Sequence, residues 1–568
     1  MIEMDWPVDT TPCPRFPVYT RLNALDVLPA PITPLAASMC WRPGVMPGWA
    51  AGNVEDRSFN PEELRHPSAV CGFFYGHLYI NQSTTRVLGA RKGLAWQDVD
   101  VAFFNSPGAP PHEPHPDDDN PTLRALALGR AAWALSTSSF AELEEDRAIA
   151  DRARMERPNL NALSDRGLIA RARSMTPLEL LMWRGEVIAG TNAAVGPAVA
   201  ASLLPPDKAH LLVACIGQAG EVDSAQPSYA LWSLSRMVRQ DADLMTRFDR
   251  GVDSVAADLT TACGAFWTAF RRFLAEFGYR GPCEWDLGVH SWESQPALAL
   301  ALIERLRHQS DDESPAARQM AHLTATEAAM REAIASLDPA KDATFRGAVG
   351  SARRFAAWRE RGKTNCVKII NEARMPLMEL GRRLAARGAI AQASHVFMAL
   401  DEELDALAVS TGEMRDRLSE REARWQFLGE LQVPTFLDGN KPLPGIHTLP
   451  RKQDVQVRHA PRGTVLRGAP GSQGTAEGTA RVIRAIDAID DFQPGEILVA
   501  PQTDPSWTPL FMAASAVVVD TGSMASHAMI IARELGIPCI AGLPDATRLI
   551  ETGARVRVDG GRGTVEIL

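Results

Sequence analysis

The stretch Asp520-Thr521-Gly522-Ser523-Met524-Ala525-Ser526-His527-Ala528-Met529-Ile530-Ile531-Ala532-Arg533-Glu534-Leu535-Gly536-Ile537-Pro538 sets a single histidine between a strand signal and a helix signal. Just before it, Ala516-Val517-Val518-Val519 is a β-branched apolar run, the pattern of a buried strand. After it, Ala528 to Leu535 consists of good helix formers, Gly536 supplies a C-terminal cap and Pro538 prevents continuation. His527 therefore falls on a tight turn where a strand hands over to a helix. Unpaired backbone N–H groups and the positive helix end face outward there and stabilise an anion. An imidazole so placed is suited to carry a phosphoryl group, whereas a histidine near a helix start is by default structural.

The words around it decide between these readings. Thr503-Asp504-Pro505-Ser506-Trp507-Thr508-Pro509-Leu510, Ser526-His527-Ala528, Ala532-Arg533-Glu534-Leu535-Gly536-Ile537-Pro538 and Asp559-Gly560-Gly561-Arg562-Gly563-Thr564-Val565 together resemble the swivelling phosphohistidine domain of phosphoenolpyruvate synthase, pyruvate phosphate dikinase and rifampin phosphotransferase. The resemblance covers roughly the last hundred residues, at about the size of one small domain. It implies that His527 is the phosphoryl carrier, with Gly522 and Ser526 supporting the turn and Ser526 helping to cap the helix. The usual glycine pair ahead of the histidine is Gly522-Ser523 here, a change in turn chemistry.

The chain has 568 residues, enough for about three or four domains. It is 45% apolar and 23% charged, ordinary for a soluble globular protein. A net charge of -10 with no basic tract argues against nucleic acid as a partner. The 8 cysteines are scattered without a CxxC pair, which suits a reducing compartment and suggests neither a zinc site nor a disulfide framework. Met-Ile-Glu-Met-Asp-Trp-Pro at the start has no secretory pattern, and the apolar run from Ala193 to Leu204 is too short for a membrane span. The expected location is cytoplasmic, away from membranes.

Residues 1–60 are rich in proline and short of helical periodicity, so an extended opening segment is expected. Within it, Thr20 to Leu35 resembles the opening of the acceptor-binding domain of rifampin phosphotransferase, as does the strand-like run Phe74 to Asn81 that follows. His112, His115 and Asp117 to Asp119 could suggest a metal, but the prolines among them favour a solvated loop, and no metal site is assigned. From about 121 to 275 the apolar spacing is helical, broken at Pro205-Pro206-Asp207. Trp183, Trp232 and Trp267, with Met182 and Met237, read first as core, though a bulky apolar acceptor would need such a lining.

The loop Phe277-Gly278-Tyr279-Arg280-Gly281-Pro282-Cys283-Glu284-Trp285-Asp286-Leu287 looks like the family's Gly-His-Arg-Gly…Glu-Asp loop, with Tyr279 where histidine is common. Arg280, Glu284 and Asp286 either contact substrate or form an internal ion-pair network. A helix is expected over 316–336 and a long one over 344–388, interrupted near Met375-Pro376. In the latter, Arg359 and Lys363 stand four apart and share a face, inviting an anion between them, although Gly362 weakens the helix. The similar Arg-Glu…Lys element of rifampin phosphotransferase implies catalytic cations. A further helical stretch covers 401–432, and from Asp438 the chain turns rich in proline and glycine. Roughly 25 residues of linker reach about 80 Å when extended, which suits a domain that travels.

The expected architecture is multidomain. A largely α-helical acceptor-binding domain occupies 1–437, a flexible linker 438–463, and a mobile α/β phosphohistidine domain 464–568. No Walker A sequence is present, and relatives of this type carry an ATP-grasp domain ahead of the acceptor domain. The expectation is therefore a two-subunit phosphotransferase resembling phenylphosphate synthase. ATP and Mg²⁺ would be bound by a separate ATP-grasp subunit, AMP and phosphate released, and the phosphoryl passed from His527 to a small hydroxylated, aromatic acceptor. A phenol titrates near 10 and needs less base help than an aliphatic alcohol. The rivals are a phosphocarrier serving a protein partner, a component acting on a rifamycin-type antibiotic, and a scaffold without phosphohistidine.

Overall fold

The structure is a computed structural model and describes residues 6–104, 109–217, 222–259, 261–311, 314–455, 458–484, 492–504, 507–522 and 526–568. Among the described residues a four-stranded antiparallel sheet joins β1 (Val18–Thr20), β2 (Cys71–Phe74), β3 (His77–Asn81) and β4 (Phe436–Asp438) in the order β2-β3-β1-β4. Tyr75 and Gly76, at φ 55° and 75°, form the two-residue turn that this hairpin's twist requires. β4 pairs with β1, so the end of the helical body closes on its beginning.

The opening segment is not extended. A wide-turned helix over Ala36–Val45 runs into a regular one over Met46–Glu55, with Pro43 inside. The reason is tertiary. Gly44, Gly48 and Gly52 form a stripe at four-residue spacing that lies against the helix Thr176–Asn192. A Cβ on Gly48 would stand 2.5 Å from the Leu180 carbonyl oxygen, so only glycine allows this approach. Burial of Met39, Trp41 and Val45 on the same element outweighs the missing proline donor.

The long helix is a second correction. It spans 45 residues, Asp342–Ala386, and passes Pro376 without interruption. Proline removes one hydrogen bond at a cost of about 3 kcal/mol. The completely buried Leu377, Leu380 and Leu384 on the turns that follow offset it.

The C-terminal domain holds a sheet ordered β5-β12-β11-β7-β8-β9-β10-β6. Its strands are β5 (Val465–Arg467), β6 (Ala469–Ser472), β7 (Thr475–Val482), β8 (Ile497–Ala500), β9 (Ala516–Val519), β10 (Cys539–Ala541), β11 (Arg555–Asp559) and β12 (Thr564–Ile567). The centre, β7 to β10, is parallel, and the flanks are antiparallel. Of the 438–463 connection, Gly439 bonds to Pro17, Pro444 accepts from Tyr75 and Lys452 reaches Gly429, all on the helical body. Ala460 and Gly463 bond instead to Leu549 and Ile567 of the C-terminal domain.

That domain is docked on the helical body. Phe266, Trp267, Phe270 and Phe273 of the helix Ala265–Phe277 share one buried apolar cluster with Trp507, Leu510, Phe511, Met529 and Ile531. No helix among the described residues is long and apolar enough to cross a membrane.

Candidate active site

His527 opens the helix His527–Leu535, directly after the buried strand β9 and the turn through Gly522 at φ 129°. Gly536, left-handed at φ 65°, closes that helix. Ser523, Met524 and Ala525, like Pro505 and Ser506 of the upstream motif, lie outside the described residues. Ser526 occupies the N-cap position, yet its hydroxyl makes no capping bond and has no partner among the described residues. This corrects the capping role expected for that side chain. A Cβ on Gly522 would stand 2.8 Å from Ser526 Oγ, so the hydroxyl packs against the glycine instead of reaching the helix N–H groups.

The imidazole is 2% exposed. Its Nε2 lies 3.4 Å from Thr508 Oγ1, and the Phe511 ring stands edge-on at 6.3 Å. Nδ1 is buried without a hydrogen-bond partner among the described residues. Burial pushes the imidazole down to about 3; Glu360 opposes this, and Lys363, Arg280 and Arg359 add to it. At neutral pH the ring is therefore uncharged and keeps a lone pair for nucleophilic attack. All four of those charges belong to the helical body, across the domain interface.

Arg359 and Lys363 are half-buried on the long helix with Glu360 between them, at 3.3 Å from Arg359 Nη1 and 3.6 Å from Lys363 Nζ. Although burial opposes ionisation of Glu360, these cations hold its carboxyl down at about 2. Gly362 serves packing: a Cβ there would come within 2.8 Å of Glu186 Cα, so glycine lets the helix Thr176–Asn192 lie close.

The 277–287 loop divides its roles. Arg280 Nη1 donates to Glu284 at 2.7 Å and Nη2 to Thr364 Oγ1 at 2.5 Å, and the guanidinium acts on His527. Glu284 holds Arg280 and keeps its second oxygen, Oε2, without a partner among the described residues. Asp286 accepts from Thr33 N and Oγ1 at 2.7 and 2.6 Å and from Gly288 N at 2.7 Å, pinning the opening segment. Tyr279 is buried, with Arg154, Arg280 and Lys368 all within 5.5 Å of its ring. The domains also meet where Cys283 N donates to Asp504 at 3.1 Å.

Behind Arg359 and Lys363 is a cavity of about 160 Å³. Trp41, Trp49, Trp183, Trp285, Phe103 and Phe104 line it, with the carboxylates Asp26 and Glu186. Trp49 and Trp183 stack at 5.4 Å. Of the tryptophans singled out in sequence, only Trp183 lines this cavity; Trp267 belongs to the docking core and Trp232 stacks under Arg236. Met182 and Met237 pack in or against buried clusters. Asp26, Glu186, Glu360, Trp41, Trp49 and Trp285 were not singled out for the site. Asp26 and Trp285 lie within runs quoted for their resemblance, and Glu360 stands between two residues that were named; nothing local marks Glu186.

A larger cleft of about 800 Å³, lined by Arg42, Met46, Leu64 and His66, contains none of the charges that act on His527. In the 106–120 loop, Asp118 is a hub for Arg15, His112 and the His115 N–H. Among the described residues no group of three or more His, Cys, Asp or Glu is placed to hold a metal ion.

Residues 183–360 match the family described as rifampicin phosphotransferase fourth domain, and residues 492–563 the mobile domain of PEP-utilising enzymes. The first match contains Glu186, Arg280, Arg359 and Glu360; the second contains His527. An uncharacterized protein of Mycobacterium tuberculosis is 27% identical over 605 residues, covering 100% of this chain and 63% of that protein. Rifampicin phosphotransferase of Streptomyces sviceus is 33% identical over 310 residues, 53% of this chain and 34% of the enzyme. An uncharacterized phosphotransferase of Bacillus subtilis is 25% identical over 374 residues, 61% of this chain and 42% of that protein. The chain thus spans less than two thirds of the length of each of these relatives. The two matched domains, in this order, and the relatives that share them make the chain similar to the rifampicin phosphotransferases over its helical and C-terminal parts.

Proposed function

We propose that this chain is the carrier and acceptor portion of an ATP-dependent phosphotransferase of the dikinase type. His527 takes a phosphoryl group from ATP and passes it to the hydroxyl of a small aromatic acceptor. One observation carries the reading: the same two cations, Arg359 and Lys363, line the aromatic cavity and act on the buried imidazole across the domain interface. A phosphoryl group moving between imidazole and cavity passes through their field. Such a transfer needs positioning and charge stabilisation above all, and Arg280, Arg359 and Lys363 supply both.

The donor is ATP with Mg²⁺, bound by an ATP-grasp subunit that is a separate chain, with AMP and phosphate as products. The acceptor is a phenol or a benzylic alcohol. At about 160 Å³ the cavity suits a single ring, well below the size of pockets that bury drug-sized ligands. That size disfavours a rifamycin. The burial of His527 at the domain interface likewise disfavours a protein as recipient.

The test uses β-labelled ATP, the full chain and the ATP-grasp partner, followed by phenols and benzylic alcohols. Acid-labile label that needs both the partner and His527, and that an aromatic alcohol discharges, is the expected result. Labelling without a partner would refute the separate donor subunit. No labelling with the cognate partner would leave the scaffold reading in its place.

A further inference from the structure

Three carboxylates surround the Arg359–Lys363 pair, and their situations differ. Glu360 is committed to both cations, at 3.3 and 3.6 Å, and is held at about 2, which makes it a poor proton acceptor. Glu186 lines the cavity from the helix Thr176–Asn192. The charges acting on it, Arg359, Lys363 and Glu360, all lie on the long helix, and none comes from the C-terminal domain. Asp26 lines the same cavity from the opening segment, is half-buried, and makes no hydrogen bond or ion pair among the described residues. The charges acting on it are Lys363 and Arg359, then Asp504 and Glu360. Asp504 belongs to the C-terminal segment that also carries Thr508, which lies 3.4 Å from His527 Nε2. Asp26 is thus the cavity carboxylate nearest in environment to both the carrier domain and the phosphate-directed cations.

Building on the transfer proposed above, we infer that Asp26 is the general base that takes the proton of the acceptor hydroxyl inside the aromatic cavity. The acceptor oxygen attacks phosphorus as its proton moves to the Asp26 carboxylate. The N–P bond breaks and its electron pair returns to the imidazole nitrogen. His527 leaves as neutral imidazole, keeping on its other nitrogen the proton held in the phosphorylated form. Arg359 and Lys363 stay with the transferring phosphoryl oxygens. Burial pushes Asp26 up to about 6 against the pull of Lys363 and Arg359, with Asp504 and Glu360 adding to the rise. A base in that range is ionised at neutral pH and still has appreciable proton affinity. Glu186 completes the set of titratable groups that face it across the cavity.

The experiment loads the full chain with labelled phosphoryl, from phosphoramidate or from ATP through the partner. Discharge per phosphorylated chain is then followed against pH with a benzylic alcohol, phenol and a nitrophenol. For Asp26→Asn, discharge to the benzylic alcohol should fall about 10²- to 10⁴-fold, the usual contribution of a general base. The loss should shrink toward the nitrophenol, which ionises unaided. The acidic limb of the wild-type pH profile should vanish, and Asp26→Glu should restore part of the rate. An equal loss with all three acceptors, or an acidic limb that survives in Asp26→Asn, would overturn the assignment. So would a limb that disappears in Glu186→Gln instead. If Asp26→Asn fails to fold, the wild-type profile and Glu186→Gln still decide it. A wild-type chain that holds label and discharges to none of the three refutes the acceptor reading itself, an outcome distinct from failure of the base.

Discussion

Two buried charge clusters lie on the same 45-residue helix, and they are built on opposite principles. Around Glu372, Arg157 donates to Glu372 Oε2 at 2.8 Å and to Glu293 at 2.6 and 3.2 Å. Arg154 reaches Glu293 at 3.0 Å and Arg171 reaches Glu372 at 3.3 Å, while Arg154 and Arg171 give further donors to backbone carbonyls. Both carboxylates have their lone pairs well used. Some ten residues earlier, Arg359 and Lys363 share one carboxylate at 3.3 and 3.6 Å, and Asp26 and Glu186 face them across a cavity without close partners. Buried charge is tolerated when it is paired and fully hydrogen-bonded. The closed cluster nearly meets that condition with its own residues, with Arg171 Nε left without a partner among the described residues, and it ties helices together. The open one gives its two cations a single shared carboxylate at a cavity wall, an arrangement that the transfer proposed above would use.

The contrast can be broken at several points. Removing the imidazole takes away the group the open cluster faces, so His527→Ala should reduce acid-labile labelling to background, read as counts on the denatured chain. In the closed cluster, Glu372→Gln leaves arginines buried without their partner and should cost about 3–5 kcal/mol of stability in urea unfolding. Lys363→Met should do the reverse. Its ion pair is long, at 3.6 Å, and Glu360 keeps Arg359 at 3.3 Å, so the stability loss should stay at about 1 kcal/mol, while phosphoryl discharge slows about 10²- to 10³-fold. Equal stability losses for the two variants would refute the distinction. Gly362→Ala drives a methyl group against Glu186 and should cost about 1–3 kcal/mol, accompanied by weaker acceptor binding measured by calorimetry.

The smallest effect is with pH. His527 sits at about 3 in the docked fold, against 6.5 for the free side chain. Between those values the unfolded chain binds a proton that the fold does not. The contribution is therefore complete above about pH 6.5 and is lost as pH falls, by about 1.4 kcal/mol per unit. Urea midpoints from pH 7.5 to 5.5 should fall more steeply for wild type than for His527→Gln.

Much of the C-terminal domain was legible because its signals are local. The strand Ala516–Val519, the turn at Gly522, the helix ending at Leu535 and the left-handed Gly536 coincide with their sequence patterns. The opening segment was not legible, because Gly44, Gly48 and Gly52 mean nothing until Thr176–Asn192 lies against them. Pro43 and Pro376 mislead for a related reason: the cost of a missing donor is local, and the packing that offsets it is not. Ser526 failed as a side-chain cap because Gly522 comes so near.

By itself the sequence determined that a histidine stands at a strand-to-helix turn, that two cations four residues apart share a helix face, and which family these words resemble. These are properties of neighbours along the chain, set by backbone geometry and side-chain period. Only the tertiary structure decided that His527 is buried opposite Arg280, Arg359 and Lys363, and that Trp41, Trp49, Trp183 and Trp285 close around one cavity. It alone set Asp26 and Glu186 on that cavity's walls and turned Asp286 to Thr33. Such meetings join residues hundreds of positions apart, and they depend on helix packing and domain docking that no local pattern encodes.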